Sequence, residues 1–284
     1  MSSPKRKRTV NRSKKKVKKT APWKWHVLGY SLLIVVFALF HYRDGIRYYV
    51  QDVWNHIFKK EDTKEVTVHD IRAIEILDKH DDMLFGFDVS HYQYQVDWKA
   101  IDSIYLKYPL DFVFIRSTMG IDGVDKTFET NWRLSKSRLL VRGAYHYYRP
   151  DENSTLQAQN FIKHTPLEPG DFFPVLDIED YPNEQSIEKL REGVLNWLTI
   201  VEKHYGVKPI IYSGENFYNR NLKEYFPDYP IWIAKYSVFT EKINDKWRFW
   251  QFTDKGTIDG IETPVDLNIF NGQRHHLKQF LIQE

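Results

Sequence analysis

The sequence comprises 284 residues, of which 42% are hydrophobic, 28% are charged and none is cysteine. This composition excludes a disordered or collagen-like chain, and the lack of cysteine excludes disulfides, zinc–thiolate sites and thiol nucleophiles. The net charge of +3 is unevenly spread, since residues 1–24 hold 11 of the 41 Lys and Arg and no acid. Residues 25–284 therefore carry a net charge of −8, which argues against a nucleic-acid-binding body.

Residues 25–42 carry no charged side chain and are apolar from Val27 to Phe40. Eighteen helical residues extend about 27 Å, close to the thickness of the hydrocarbon layer of a membrane. We therefore predict a transmembrane helix at 25–42 that keeps a basic tail, residues 1–24, in the cytoplasm and places the rest of the chain in the periplasm or outside the cell. A buried core helix and a cleaved signal peptide are the alternatives, but Phe40–Arg43 offers no small-residue cleavage site.

Residues 43–82 are predicted to form a stalk or linker that is partly helical. Apolar residues recur at helical spacing from Ile46 to Ile57, which fits either a helix on the membrane or one packed on the following domain. A second short helix is expected at His69–Lys79.

From residue 83 to residue 284 the pattern changes to short apolar runs separated by amphipathic segments, which predicts an α/β domain. The runs typical of buried strands are Phe85–Val89, Phe112–Arg116, Val141–Tyr147, Phe173–Ile178, Pro209–Tyr212, Ile231–Ala234, Phe249–Phe252 and Val265–Ile269. The helical patterns are Trp98–Leu106, Lys126–Lys136, Thr155–His164, Ser186–Tyr205 and Glu215–Tyr225. The gaps at 235–248 and 253–264 leave little room for full helices between the last strands. We therefore predict an irregular TIM-like barrel with eight strands and about five helices.

Acidic residues stand at the ends of three of these runs: Asp88, the pair Asp177 and Glu179, and Asp266. Carboxylates at the carboxyl ends of barrel strands face the mouth, where such barrels do their chemistry. Residues i and i+2 of a strand share a face, and two close acids raise each other's pKa, so that one keeps its proton while the other ionises. Cleavage of a glycosidic bond requires such a pair, although an Asp-x-Glu triplet after a strand also occurs as a simple turn cap.

Several of these segments together resemble glycoside hydrolase family 25, the lysozymes or N-acetylmuramidases of the Chalaropsis type. The resemblance runs in order over about 190 residues. It rests on Gly86–Gln93, Val96–Trp98, Gly143–Tyr148, Pro174–Glu179, Ile211–Ser213, Ile231–Tyr236, Trp250–Thr253 and Val265–Asn268. It implies a barrel of eight strands with only five helices, and hydrolysis of the β-1,4 bond between N-acetylmuramic acid and N-acetylglucosamine in peptidoglycan.

The resemblance also implies roles for the four acids. Glu179 falls on the proton donor of the family, Asp177 on the carboxylate that orients or stabilises the reacting sugar, and Asp88 and Asp266 on two further active-site acids. No metal or organic cofactor is implied. One departure stands at Met119, where the similar family segment commonly has Glu, while Arg116 replaces Lys and keeps the positive charge.

Aromatic side chains on the predicted strands are candidates for a sugar-binding groove, because sugar rings stack on aromatic faces. The candidates are Tyr145, Tyr147, Tyr212, Trp232 and Trp250, although buried Tyr and Trp also serve as ordinary core. His91 and His146 are interpreted as hydrogen-bonded structural histidines, because no second ligand at metal-binding spacing accompanies them.

The sequence thus predicts a monomeric, membrane-anchored glycoside hydrolase of the lysozyme type that acts on peptidoglycan strands and binds no nucleic acid. Two alternatives stay open. The groove could hold a glycan without cutting it, or it could cleave a related amino-sugar polymer such as chitin.

Overall fold

The computed structural model describes residues 30–33, 36, 37, 39, 41–43, 45, 47, 50 and 66–284, except 139, 238 and 241. The chain divides into two compact units, Met1–Ile46 and Arg47–Glu284. The described residues of the first unit are helical apart from a turn at Tyr42. The predicted basic tail, half of the predicted transmembrane segment and most of the predicted helix at 46–57 lie outside the described residues. Within the described part, no helix combines the length and the apolar character needed to cross a membrane.

The second unit contains a closed barrel of eight strands, as predicted. Its strands are β1 (Leu84–Val89), β4 (Phe112–Met119), β6 (Val141–Tyr147), β7 (Val175–Asp177), β8 (Ile210–Gly214), β9 (Ile231–Ala234), β10 (Phe249–Gly256) and β11 (Val265–Phe270). Neighbouring strands from β4 to β10 pair in parallel. The last strand, β11, is antiparallel to both β10 and β1, and β1 pairs in parallel with β4 to close the barrel. Two short hairpin strands, β2 (Ser103–Ile104) and β3 (Tyr108–Pro109), form a separate sheet, and β5 (Gly123–Val124) pairs antiparallel with the end of β4.

Helices surround the strands: α1 (Val68–Lys79), α2 (Phe128–Ser135), α3 (Ser154–His164), α4 (Ile187–Tyr205), α5 (Glu215–Asn221) and the single turn α6 (Arg274–Leu277). The longest, α4, buries an apolar stripe that includes Leu190, Val194 and Trp197. The side chain of Ser186 caps its amino end, and Gly206 ends it in the left-handed conformation with a φ of 74°. No α-helix occurs between β9 and β11 among the described residues of that stretch, as the short gaps predicted.

The predicted helix at Trp98–Leu106 is wrong. Trp98, Ile101 and Ile104 are all buried, and their spacing of three residues imitates one face of a helix. The segment instead contains turns followed by the β2–β3 hairpin. Tyr105 and Leu106 in the hairpin turn have φ values of 51° and 59°, which a right-handed helix does not allow.

Alternation along each strand separates the interior of the barrel from its outer face. Phe112 and Phe114 point inward, whereas Val113 and Ile115 belong to the outer core beneath the helices. The inward aromatic cluster fills the lower barrel, and it consists of Phe112, Phe114, Phe172, Phe249 and Phe270 together with neighbouring apolar side chains. Gly86 lies so close to the Phe112 ring that a Cβ there would be 2.4 Å from the ring. The lower barrel is therefore a packed core, and any open site must lie above it.

Helix α1 confirms the helix expected at His69–Lys79. A capping box between Thr67 and Asp70 fixes its start. Its buried residues Ala73 and Ile76 belong to the same outer core as Trp250 of β10. The outer face of β10 around Trp250 is therefore covered by this helix.

Candidate active site

The four predicted acids converge on one cavity of about 440 Å³ at the mouth of the barrel. Asp88 is the penultimate residue of β1, Asp177 is the last residue of β7, and Glu179 follows two residues after Asp177. Asp266 lies near the amino end of β11, but the antiparallel pairing of β11 with β1 places it directly opposite Asp88. The reversed last strand thus contributes an acid to the same rim as the carboxyl ends of the parallel strands.

Two side-chain amides donate hydrogen bonds to Asp88. The indole nitrogen of Trp232 donates to Asn268 Oδ1 at 2.8 Å, so that Asn268 Nδ2 is directed to Asp88 Oδ2 at 2.7 Å. The hydroxyl of Tyr212 donates to Gln251 Oε1 at 2.8 Å, and Gln251 Nε2 donates to the same Asp88 oxygen at 2.8 Å. Since both amides present donors, Asp88 Oδ2 accepts two hydrogen bonds and carries no proton.

Burial and mutual repulsion set the protonation of the Asp88–Asp266 pair. Burial raises the pKa of Asp88 to about 6, and the hydrogen bonds from Asn268 and Gln251 limit that rise. Burial also raises the pKa of Asp266, together with the nearby charge of Asp88, to about 9. At neutral pH Asp266 therefore holds a proton and Asp88 is the ionised member of the pair.

Asp177 and Glu179 form the second acidic pair. Burial raises the pKa of Glu179 to about 7, with further contributions from the charges of Asp180 and Asp88. Burial and the charge of Glu179 raise the pKa of Asp177 well above its usual value, while Arg116 opposes this shift. Asp177 is 6% exposed, and its Oδ1 has no hydrogen-bond partner among the described residues. The cavity thus offers one carboxyl group able to donate a proton near pH 7 and one buried acceptor without a partner.

Arg116 is a buried cation beside these acids, and it is held by Asp125. Its Nε lies 3.0 Å from Asp125 Oδ2. The same oxygen accepts the backbone N–H of His91 at 2.9 Å and lies 3.1 Å from His91 Nδ1. Burial opposes ionisation of Asp125, but its hydrogen bonds to Thr127, His91 and Arg116 together hold its pKa below the usual value. His91 is therefore part of the support of Arg116.

His146 has the structural role that the sequence indicated. It is fully buried, with Nδ1 2.7 Å from Thr118 Oγ1 and Nε2 3.1 Å from Gln157 Oε1. Burial lowers its pKa to about 3, so the ring is neutral at physiological pH.

Four of the five predicted aromatic residues line the cavity: Tyr145, Tyr147, Tyr212 and Trp232. The fifth, Trp250, does not. It is fully buried on the outer face of β10, where its indole nitrogen donates to the Lys235 carbonyl at 3.0 Å and its ring contacts His80. Alternation along β10 gives the inward position to Gln251, the next residue.

Several cavity residues are absent from the sequence-based candidates. These are Ser90, Tyr92, Gln93, Arg149 and Gln251, with Asn268 beneath them. Gln251 and Asn268 could have been found from the alternation of side chains along a strand. Gln251 lies two residues after Phe249, and Asn268 lies two residues after Asp266, so each shares the inward face of its strand. Arg149 follows β6 in a loop, and no periodicity marks it.

The fold and this cavity together define a class: a barrel hydrolase with paired carboxyl groups in an aromatic groove, as glycosidases have. The sequence model of the glycosyl hydrolases family 25 matches residues 87–261. The chain therefore belongs to glycosyl hydrolase family 25, and it is a glycoside hydrolase.

Individual relatives agree with this assignment. YegX of Escherichia coli K12 is 43% identical over 201 residues, which cover 70% of this chain and 73% of that protein. Lysozyme M1 of Streptomyces globisporus is 28% identical over 211 residues, covering 68% and 69% of the two chains. The solved structure of a family 25 glycosyl hydrolase from Bacillus anthracis superposes with a TM-score of 0.62 at 31% identity, covering 69% of this chain and 93% of that one.

Proposed function

We propose that this protein is a peptidoglycan muramidase that cleaves the β-1,4 bond between N-acetylmuramic acid and N-acetylglucosamine. The observation that carries the proposal is the position of Glu179, a carboxyl group with a pKa of about 7, two residues from Asp177 in a groove lined by tyrosine and tryptophan. Membership of the family and similarity to Lysozyme M1 support this choice of substrate.

Glu179 donates its proton to the glycosidic oxygen as the bond breaks. A catalytic acid works best when its pKa lies near the working pH, and burial beside Asp180 and Asp88 gives Glu179 that value. The proton leaves Glu179 as pH rises through about 7, so turnover falls on the alkaline side of this value.

Asp177 orients the sugar whose bond is broken. Its unpartnered Oδ1 is an acceptor for the N–H of the sugar's acetamido group. This bond, together with the charge of Arg116, favours the ionised carboxylate, whose negative charge stabilises the positive charge that develops at the anomeric carbon. Substrate supplies the hydrogen bond that Asp177 lacks in the free protein, so binding relieves an unsatisfied buried group.

Asp88 and Asp266 complete the electrostatic environment. Ionised Asp88 is held by Gln251 and Asn268, and it helps to keep the proton on Glu179. Protonated Asp266 adds no second charge, and it shares its proton with Asp88 in a hydrogen bond.

The membrane anchor and the location belong to the proposal as well. The uncharged segment 25–42 and the basic residues before it support a single membrane-spanning helix with a cytoplasmic amino terminus. The catalytic barrel then acts in the periplasm or outside the cell, on the wall next to its own membrane, and as a monomer. Protease protection of residues 1–24 in intact spheroplasts tests this orientation, and cleavage of the tail from the outside contradicts it.

Mass spectrometry of products from purified peptidoglycan tests the activity. The full-length protein is incubated with glycan strands and, in parallel, with chitin oligomers. We expect disaccharide fragments with N-acetylmuramic acid at the reducing end and little release from chitin. Fragments ending in N-acetylglucosamine, or faster cleavage of chitin, contradict the proposed bond, and binding without any cleavage identifies a non-catalytic glycan-binding protein.

A further inference from the structure

The charges around the groove are unevenly placed. Four acids line it, and its two cations, among the described lining residues, are Arg116 and Arg149. Arg116 is buried, with 8% of its side chain exposed, and its charge is matched by Asp125. Arg149 has 44% of its side chain exposed at the edge of the groove. Arg149 is therefore the more exposed of the two cations, and it is paired with Glu152.

Arg149 is held in place by the loop around it. Its Nη1 lies 3.0 Å from Glu152 Oε1, while Glu152 Oε2 accepts the backbone N–H of Ile121 at 2.7 Å. Glu152 thus ties Arg149 to the turn between β4 and β5.

The turn itself is shaped to fit this pair. Gly120 has a φ of 56°, and a Cβ there would lie 2.8 Å from Arg149 Cδ and 2.3 Å from Glu152 Oε2. The amide of Asn160 fixes the same turn by donating to the carbonyls of Gly120 and Gly123, each at 3.0 Å. A guanidinium held this way loses little conformational entropy when it binds an anion.

Met119, the residue before Gly120 in the sequence, also lines the groove. Its thioether side chain carries no charge, so it adds no repulsion against an anion that approaches Arg149 beside the ion-paired Glu152. The four acids, by contrast, disfavour a carboxylate near the centre of the groove.

We propose that Arg149 binds a carboxylate on the muramic acid side of the substrate, either the lactyl carboxylate or a carboxylate of the stem peptide attached to it. This inference rests on the proposed muramidase function and names the part of the substrate that Arg149 recognises. Of the two sugars, only the muramic acid residue bears such a group. The contact therefore fixes which sugar of the glycan lies at each position along the groove. Arg149 then acts as a specificity-determining residue that places the correct bond at Glu179.

Steady-state kinetics on two substrates, each in two forms, test this assignment. The full-length protein is assayed on uncross-linked glycan strands with stem peptides, whose free carboxylates lie on the peptide, and on strands freed of peptide, whose free carboxylate is the lactyl group. Each substrate is assayed before and after carbodiimide amidation of its carboxyl groups, and the series in which amidation raises KM identifies the carboxylate. For wild type, amidation should raise KM in at least one series. In that series Arg149→Gln should raise KM on the untreated strands by about 3- to 10-fold, the effect of losing a charge-assisted hydrogen bond at a half-exposed site, with less than a twofold change on amidated strands.

Matched variants separate recognition from folding. Arg149→Lys should retain part of the discrimination, since it keeps the charge but loses the planar fork. Arg133→Gln, an exposed arginine of α2, removes the same charge elsewhere and should leave the KM values unchanged. An equal rise in KM on untreated and amidated strands for Arg149→Gln, or no rise on either, overturns the inference while the muramidase function stands. Absence of cleavage of every substrate by wild type overturns the proposed function and this inference with it.

Discussion

The two halves of the barrel interior are built by the same strands but have opposite chemistry. On β4, Phe112 and Phe114 fill the lower half, and Arg116, two residues later, faces the groove. On β11 the order is reversed, from Asp266 at the mouth to Phe270 at the bottom. The lower half buries aromatic rings in contact, whereas the upper half buries acids that raise each other's pKa. The packed rings below the groove therefore stabilise the barrel, whereas the buried acids of the groove lower the free energy of unfolding at neutral pH.

Loss of an aromatic ring from the lower half should have the largest effect on stability. The Phe112 ring lies 5.6–5.8 Å from the rings of Phe114, Phe172 and Phe249. Phe112→Ala should lower the free energy of unfolding by about 3–5 kcal/mol, through lost burial and the cavity left behind. Urea denaturation followed by tryptophan fluorescence measures this. The turnover of the folded fraction should stay near that of wild type, and a selective loss of turnover would show that the two halves are not separable.

Removal of an acid from the upper half should instead raise stability, in a pH-dependent way. The folded protein holds the Asp266 proton up to about pH 9, whereas an unfolded aspartate releases it near pH 4. The free energy of unfolding of wild type therefore falls as pH rises across this window. Asp266→Asn should remove this contribution, so its advantage over wild type should be greater at pH 8.5 than at pH 5.

Denaturation curves at the two pH values check this, with Asp259→Asn as a control for loss of an exposed acid. Parallel stability curves for wild type and Asp266→Asn would contradict the raised pKa of Asp266.

The smallest effects are expected from substitutions at two neighbouring residues of β10, Gln251 and Trp250, which should change different properties of the protein. Gln251→Met removes one of the two amide donors to Asp88, and because that donor lowers the pKa of Asp88, its loss should raise this pKa above about 6. We expect kcat to fall about tenfold and the acidic limb of the pH–rate profile to move to higher pH. Trp250→Phe, on the outer face, should cost about 1 kcal/mol of stability through its lost hydrogen bond and leave kcat/KM unchanged. Equal kinetic effects of the two substitutions would contradict the inward and outward assignment.

Much of the barrel could be predicted from its apolar runs. Each predicted strand overlaps an observed one, and Val141–Tyr147 and Ile231–Ala234 have the predicted bounds. Buried parallel strands and amphipathic helices impose strong patterns, and α4 shows the clearest one. The false helix at Trp98–Leu106 arose because a spacing of three buried residues also suits a packed irregular segment, and backbone conformations such as those of Tyr105 and Leu106 leave no periodic trace.

The four acids were also predictable, because strand ends and the resemblance to a family pointed to the same positions. The supporting residues were not. Trp250 and Gln251 are neighbours on β10 and face opposite sides of it. Trp250 is predicted as a groove residue because it is aromatic, although alternation along the strand assigns Gln251 to the groove. Arg149 lies in a loop, so its position depends on contacts with Glu152 and the Gly120 turn that are distant in the sequence.

The rate at which Glu179→Gln releases reducing ends from purified peptidoglycan tests whether Glu179 is the proton donor. The substitution keeps the size of the side chain and removes the proton donor. We expect kcat to fall about 10²- to 10⁴-fold and the unfolding midpoint to be no lower than that of wild type. A folded Glu179→Gln protein that turns over at nearly the wild-type rate would contradict the assignment of Glu179 as the acid.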